Sequence, residues 1–219
     1  MKKGEKKKQE KRLKRRTQSK LAHKEAHGVG PMAASYYVRQ ARHFPIEGCW
    51  VQEEWDESGL AVVVIARRQP NGNIVFGVYL VDYYCLGVKD TFCRTDISEE
   101  LFQHDFMPKT YRDHAPISIS PALAHEIVYG GIEYAAQFGF RPHRDFKLSQ
   151  YILDPPGMHP RSGTVKFGKE GKPCYISGPH DDVQAIMNQL MRTAGEGNFD
   201  YLAHVGQPPD DWFDTDEGE

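Results

Sequence analysis

Cysteine is scarce in this sequence, and its four cysteines stand far apart. Cys49, Cys85, Cys93 and Cys174 form no CxxC pair among the 219 residues. A zinc ribbon needs closely spaced cysteine pairs, so this class of protein is not indicated. The spacing fits reduced thiols, and we expect a cytoplasmic protein.

Long apolar runs are also missing. The longest one, near residues 60–66, has about seven residues, whereas a membrane helix needs roughly twenty. The charged N-terminal segment is not followed by an apolar stretch, so neither a secretory signal nor a membrane partner is predicted. The hydrophobic fraction of 39% is nevertheless enough for a packed core over most of the chain.

Charge is distributed unevenly along the chain, although the net charge is only −2. Residues 1–24 hold twelve Lys or Arg against two Glu, whereas residues 207–219 hold six acidic residues and no basic one. We predict a disordered basic arm over residues 1–30, a globular domain over 31–206 and a disordered acidic tail over 207–219. Two tightly joined halves meeting near residues 110–120 are an alternative description of the domain.

The basic arm has almost no apolar residues with which to dock on a core. Its cations occur in clusters, which suit phosphates at variable positions and predict nucleic-acid binding, with RNA favoured over DNA. The predicted phosphate-binding residues are Lys6, Lys7, Lys8, Lys11, Arg12, Lys14, Arg15 and Arg16. A solubilising tail without a specific target is the alternative.

The body predicts an α+β fold, in which an antiparallel β-meander packs with three or more helices. Residues 60–67 and 74–84 are rich in β-branched residues and flank an Asn-Gly hairpin signal at 70–73. Their nearly continuous apolar character indicates a sheet that is covered on both faces. Residues 49–52 and 88–94 are further candidate strands.

Helix starts are predicted at Ser98, at Ser120 before Pro121, and at Asp181 or Asp182. The helix after Ser120 should end at Gly139. In its middle, Gly130-Gly131 predicts the close approach of another backbone or of a ligand. Residues 108–119 should form a loop, 146–153 a short helix, 164–167 and 174–177 a hairpin, and 199–205 a closing strand.

The segment YLVDYYCLGVKD, residues 79–90, combines a strand with reactive groups. Asp82 or Asp90 could act as an acid, a base or a metal-binding carboxylate, with Cys85 as a nucleophile and Lys89 as the cation that stabilises its thiolate. Alternatively, Cys85 is a small buried residue and Gly87 adopts a backbone angle that other residues avoid.

A second group of polar residues surrounds the predicted helix after Ser120. Glu126 lies on this helix beside His125, and His143 and Asp145 follow shortly after its end. Such carboxylates and imidazoles could perform acid–base chemistry or hold a divalent ion, or they form a solvated face with a helix cap. The sequence HEIVYGG lacks the second His of HExxH, so a zincin is excluded and no metal ligands are assigned.

Three stretches of the chain resemble an uncharacterised family of bacterial proteins. They are VDYYCLGVKDTF, GGIEYAAQFGFRPHRDF and KPCYISGPHDD. The resemblance covers roughly residues 45–205 and leaves out the arm and the tail. It implies no activity, cofactor or partner.

Three hypotheses follow from these patterns. The first is a cytoplasmic RNA-binding accessory protein, associated with ribosomes, that uses the basic arm. The second is a hydrolase of a phosphodiester or nucleotide, with Asp82, Lys89, Glu126, His143 and Asp145 as its catalytic residues. The third is a protein-interaction module whose acidic tail folds back on the arm.

Overall fold

The computed structural model describes residues 31–178 and 181–202. The chain divides between Tyr37 and Val38 into two units. The predicted basic arm and acidic tail lie outside the described residues. The sheet and the candidate site belong to the second unit.

A five-stranded antiparallel sheet forms the centre of this unit, with the strand order β4-β3-β2-β1-β5. Its strands are β1 Ile46–Gln52, β2 Leu60–Arg68, β3 Ile74–Asp82, β4 Gly87–Ile97 and β5 Pro116–Ser118. The first four strands are sequential neighbours, which confirms the predicted meander and the α+β class. The edge strand β5 lies in a segment that the sequence predicted to be loop.

Both faces of the sheet are covered, as the apolar strands predicted. Because side chains alternate along a strand, Val63 and Ile65 face one core cluster while Val62 and Val64 face the other. The first cluster includes Ile127 from the long helix after Ser120. This helix therefore packs on the face of the sheet that also carries the candidate site.

Three of the seven helices in the described residues begin where capping residues predicted. Their bounds are α1 Pro31–Gln40, α2 Trp55–Ser58, α3 Glu99–Leu101, α4 Met107–Thr110, α5 Pro121–Gln137, α6 Phe146–Ser149 and α7 Val183–Thr193. Ser98, Ser120 and Asp182 each accept a hydrogen bond from a backbone N–H in the first turn. A π-helical segment, Phe102–Phe106, links α3 to α4. None of the described helices is long and apolar enough to cross a membrane.

Three local predictions were wrong. The predicted loop over 108–119 contains the end of α4 and strand β5, and α6 ends at Ser149 rather than near residue 153. The predicted hairpin of 164–167 with 174–177 does not form. Instead, β6 Cys174–Ile176 pairs in parallel with β7 Asp200–Leu202. In each case long-range pairing or anchoring decided the local structure.

The two glycines in α5 lie at close contacts, but side chains approach most closely there, with the predicted backbone approach limited to Gly87 beside Gly131. A Cβ on Gly131 would lie 2.8 Å from Val81 Cγ1, and a Cβ on Gly130 would overlap the ring of Phe167. Gly87 has a φ of +70°, and a Cβ there would lie 2.9 Å from the carbonyl oxygen of Gly131. The missing side chains therefore allow the turn after β3 to pack against α5.

Candidate functional site

Two histidines and one aspartate from distant parts of the chain converge beside α5. They are His125 on α5, Asp154 just beyond α6, and His159 on the loop that follows. One possible ligand atom from each residue lies within 4.8 Å of those of the other two. Among the described residues, this group is the one whose side chains could together hold a metal ion.

Asp154 is the centre of this cluster and contacts both histidines. Its Oδ2 lies 2.9 Å from His159 Nε2, and its backbone N–H donates to His125 Nε2 at 3.2 Å. The second hydrogen bond places the proton of a neutral His125 ring on Nδ1. The two imidazole rings are 4.5 Å apart, measured between their centroids.

Arg67 on β2 fixes the position of Asp154. The guanidinium donates to Asp154 Oδ1 at 2.5 Å, to the Ile152 carbonyl at 2.6 Å and to the Phe44 carbonyl at 2.8 Å. Arg67 is itself buried, with only 2% of its surface exposed. A buried guanidinium needs such partners, and here they connect the sheet to the segment that carries Asp154.

Further side chains hold the segment that leads to Asp154. The Tyr79 hydroxyl donates to the Ser149 carbonyl at 2.7 Å. Arg42 donates to the carbonyls of Leu153 at 2.8 Å and Gln150 at 3.0 Å. Residues 149–154 are thus anchored from the sheet and from the segment before β1. This anchoring pre-orients the Asp154 carboxylate.

The surroundings of the cluster determine its charge. Burial raises the pKa of Asp154, but hydrogen bonds from His159 and Arg67 outweigh it and leave this pKa below its usual value. Burial, together with the neighbouring His159, lowers the pKa of His125 to about 4. At neutral pH the cluster therefore combines an ionised carboxylate with a neutral His125.

Glu126, one of the predicted catalytic residues, anchors a loop next to the cluster. Its carboxylate accepts hydrogen bonds from the backbone N–H and the hydroxyl of Ser162, and from the N–H of Val165. Burial raises the pKa of Glu126, but the hydrogen bonds, above all those from Ser162, lower it by more. The pKa of Glu126 therefore lies below the usual value. Glu126 ties the loop that follows His159 to α5.

Asp82 and Lys89 have different partners. Asp82 Oδ1 accepts hydrogen bonds from the N–H groups of Tyr84 at 3.1 Å and Cys85 at 2.8 Å, while Oδ2 is buried without a partner. Burial raises the pKa of Asp82 to about 7, although the charge of Lys89 opposes this shift. Lys89 forms its ion pair with Asp181, at 2.8 Å.

Cys85 is fully buried next to Asp82. Burial and the nearby Asp82 charge raise the pKa of its thiol far above the usual value. A thiolate is therefore disfavoured, which supports the interpretation of Cys85 as a small core residue rather than a nucleophile.

His143 and Asp145 lie in a third group of polar side chains, which is outside the core. His143 Nδ1 lies 3.4 Å from Asp90 Oδ1 and 3.9 Å from Asp145 Oδ2. Asp145 precedes α6 at the N-cap position, but its side chain makes no capping hydrogen bond. The structure thus brings His143 and Asp145 together and gives Asp82, Lys89 and Glu126 other partners.

Sequence reasoning overlooked Asp154 and His159 as functional residues. Asp154 directly follows the short helix predicted over residues 146–153, and the sequence patterns assigned no role to either residue. The one local signal is DPPGMH, in which two prolines and a glycine separate a carboxylate from an imidazole. The eight predicted phosphate-binding cations of the arm lie outside the described residues.

Searches of protein-family models, of curated proteins and of solved structures found no match to this chain.

Proposed function

We propose that this chain is a cytoplasmic nucleic-acid-binding accessory protein. Its basic N-terminal arm binds RNA, in ribosomal particles or elsewhere. The observation that supports this proposal is the positive charge of residues 1–24, which contain twelve Lys or Arg and two Glu. The rest of the chain is acidic overall, so the positive charge is concentrated in this one segment. Flexible cationic side chains bind phosphates without requiring a fixed geometry.

Deleting residues 1–26 should abolish RNA binding at low salt. If eight arm cations each neutralise a phosphate, log affinity should fall against log salt with a slope of about −6 to −7 in the intact protein. Fluorescence anisotropy with a labelled RNA oligonucleotide, measured from low to moderate salt, checks both expectations. Unchanged affinity after the deletion would refute the proposal.

Deleting the acidic tail, residues 207–219, is the matched control. It leaves the arm intact, so RNA binding should persist. If affinity for RNA rises strongly and its salt dependence becomes steeper, the tail occupies the arm in the intact protein, which would support the protein-interaction hypothesis alongside RNA binding by the arm.

A second candidate function is hydrolysis of a phosphodiester or nucleotide. The observation that favours it is the contact between Asp154 and His159, at 2.9 Å. A carboxylate that orients an imidazole is a common arrangement for general acid–base chemistry. Since His159 remains partly exposed, a substrate could reach it. The chemistry would then lie at this pair rather than at the five residues that the sequence predicted.

Replacing His159 with alanine should then reduce turnover of a single-stranded RNA or nucleotide substrate by about 100-fold. Product formation by the purified protein, followed by chromatography, is the measurement. His114→Ala removes an exposed histidine from another loop and should leave turnover unchanged. Equal turnover in the wild type and both variants would show that the activity does not depend on His159.

A further inference from the structure

We propose that His125, Asp154 and His159 form a binding site for a divalent transition-metal ion of the zinc class. The proposal starts from the mutual distances of their donor atoms, all within 4.8 Å. It does not depend on RNA binding, and metal ligation by Asp154 and His159 would replace the acid–base role considered for this pair above.

The donor set determines the class of ion. Two imidazole nitrogens and one carboxylate oxygen suit zinc and its neighbours among the transition metals. Magnesium and calcium prefer sites built from oxygen atoms, so they fit this set poorly. Three protein ligands also leave an open coordination position, which is characteristic of catalytic rather than structural zinc sites.

The spacing of two donors already matches ligation. Asp154 Oδ2 and His159 Nε2 are 2.9 Å apart. With zinc–ligand bonds of roughly 2 Å, two atoms bound to one ion lie about 3 Å from each other. These atoms now share a hydrogen bond, and a metal ion would take the place of the proton between them.

The third donor must exchange a hydrogen bond for the ion. His125 Nε2 accepts a hydrogen bond of 3.2 Å from the Asp154 N–H, so ligation through this nitrogen requires that bond to break and the Asp154 segment to shift locally. His125 is 5% exposed and lies on the long helix α5, which limits its movement. His159 lies on a loop and can approach the ion more easily.

The residues around the cluster support ligation by Asp154. Arg67 holds Oδ1 and leaves Oδ2 for the ion, while the Tyr129 hydroxyl donates to the Asp154 carbonyl at 3.1 Å. Such outer contacts orient a ligand and raise metal affinity. The positive charge of Arg67 works against a cation, so we expect weaker binding than at a closed site with four ligands.

Isothermal titration of the full-length chain with zinc chloride tests the proposal. The wild type should bind one equivalent more tightly than any further zinc, and His159→Ala should weaken this binding by about 100-fold or more. Because His159 lies on a loop and is partly exposed, this variant should keep its fold, which circular dichroism checks. His114→Ala, which removes an exposed histidine, should bind zinc like the wild type.

Cobalt absorption spectra identify the ligand type. Binding of cobalt at this cluster should give d–d bands without the charge-transfer band of a thiolate ligand, and His159→Ala should lose those bands. The absence of a tight equivalent in the wild type, equal zinc affinity in His159→Ala, or a thiolate band would each overturn the proposal.

Discussion

Replacing Arg67 with alanine is expected to lower the free energy of unfolding by about 3–5 kcal/mol. The substitution removes the guanidinium that binds Asp154 and the Ile152 and Phe44 carbonyls. Since the Arg67 and Asp154 side chains are only 3% and 15% exposed, water replaces these contacts poorly. The Asp154 carboxylate would lose its main cationic partner. Urea denaturation of the wild type and the variant gives the difference.

Arg68→Ala is the matched control, because Arg68 is the next residue on the same strand. Its side chain is 29% exposed and pairs with Glu47 and Glu99 at the surface. Surface pairs of this kind contribute about 0–1 kcal/mol. If Arg67→Ala is no more destabilising than Arg68→Ala, Arg67 does not anchor the segment that carries Asp154.

Replacing Asp82 with asparagine should remove a pH-dependent loss of stability. Burial raises the pKa of Asp82 from 3.8 to about 7 in the folded protein. The folded state therefore holds this proton more tightly than the unfolded state, and the contribution of Asp82 to stability falls as the pH rises from about 4 through about 7. A shift of this size corresponds to about 4 kcal/mol above pH 7.

The stability difference between Asp82→Asn and the wild type isolates this effect. Asparagine keeps an oxygen for the N–H groups of Tyr84 and Cys85 and has no proton to lose in this range. Measured by urea denaturation between pH 4 and pH 8, the free energy of unfolding of the variant should rise relative to that of the wild type as the pH increases through about 7. Asp113→Asn, at an exposed carboxylate, controls for the loss of charge. A difference that does not change with pH would show that folding does not raise the pKa of Asp82.

Much of the fold could be predicted because its signals are local. The β-branched runs in β2 and β3, the Asn-Gly turn between them, and the caps Ser98 and Ser120 each act within a few residues. Strand β5 has only three residues and depends on pairing with β1, so it left no such signal. The parallel pairing of β6 with β7 likewise depends on contact between segments that are far apart in the sequence.

The candidate site could not be predicted because its members meet through the tertiary structure. Asp154 lies 29 residues from His125 and 87 residues from Arg67 along the chain. Arg67 sits in an apolar strand, and only the folded protein shows that the carboxylate of Asp154 and two carbonyl groups compensate for its burial. Asp82 can be identified in the sequence as a polar residue at a strand end. Its burial and the missing hydrogen-bond partner of its Oδ2 depend on packing and could not be predicted.

Imidazole nitrogen NMR tests whether His125, Asp154 and His159 act together as one metal-binding site. Spectra of ¹⁵N-labelled protein would be recorded with and without one equivalent of zinc, and His125→Ala and His159→Ala would assign the two rings. We predict that the metal-free protein shows a neutral His125 ring with its proton on Nδ1, and that zinc shifts the Nε2 resonances of His125 and His159 together. Zinc-induced shifts confined to other histidines, or a shift of only one of these two rings, would show that the three residues do not form one metal site.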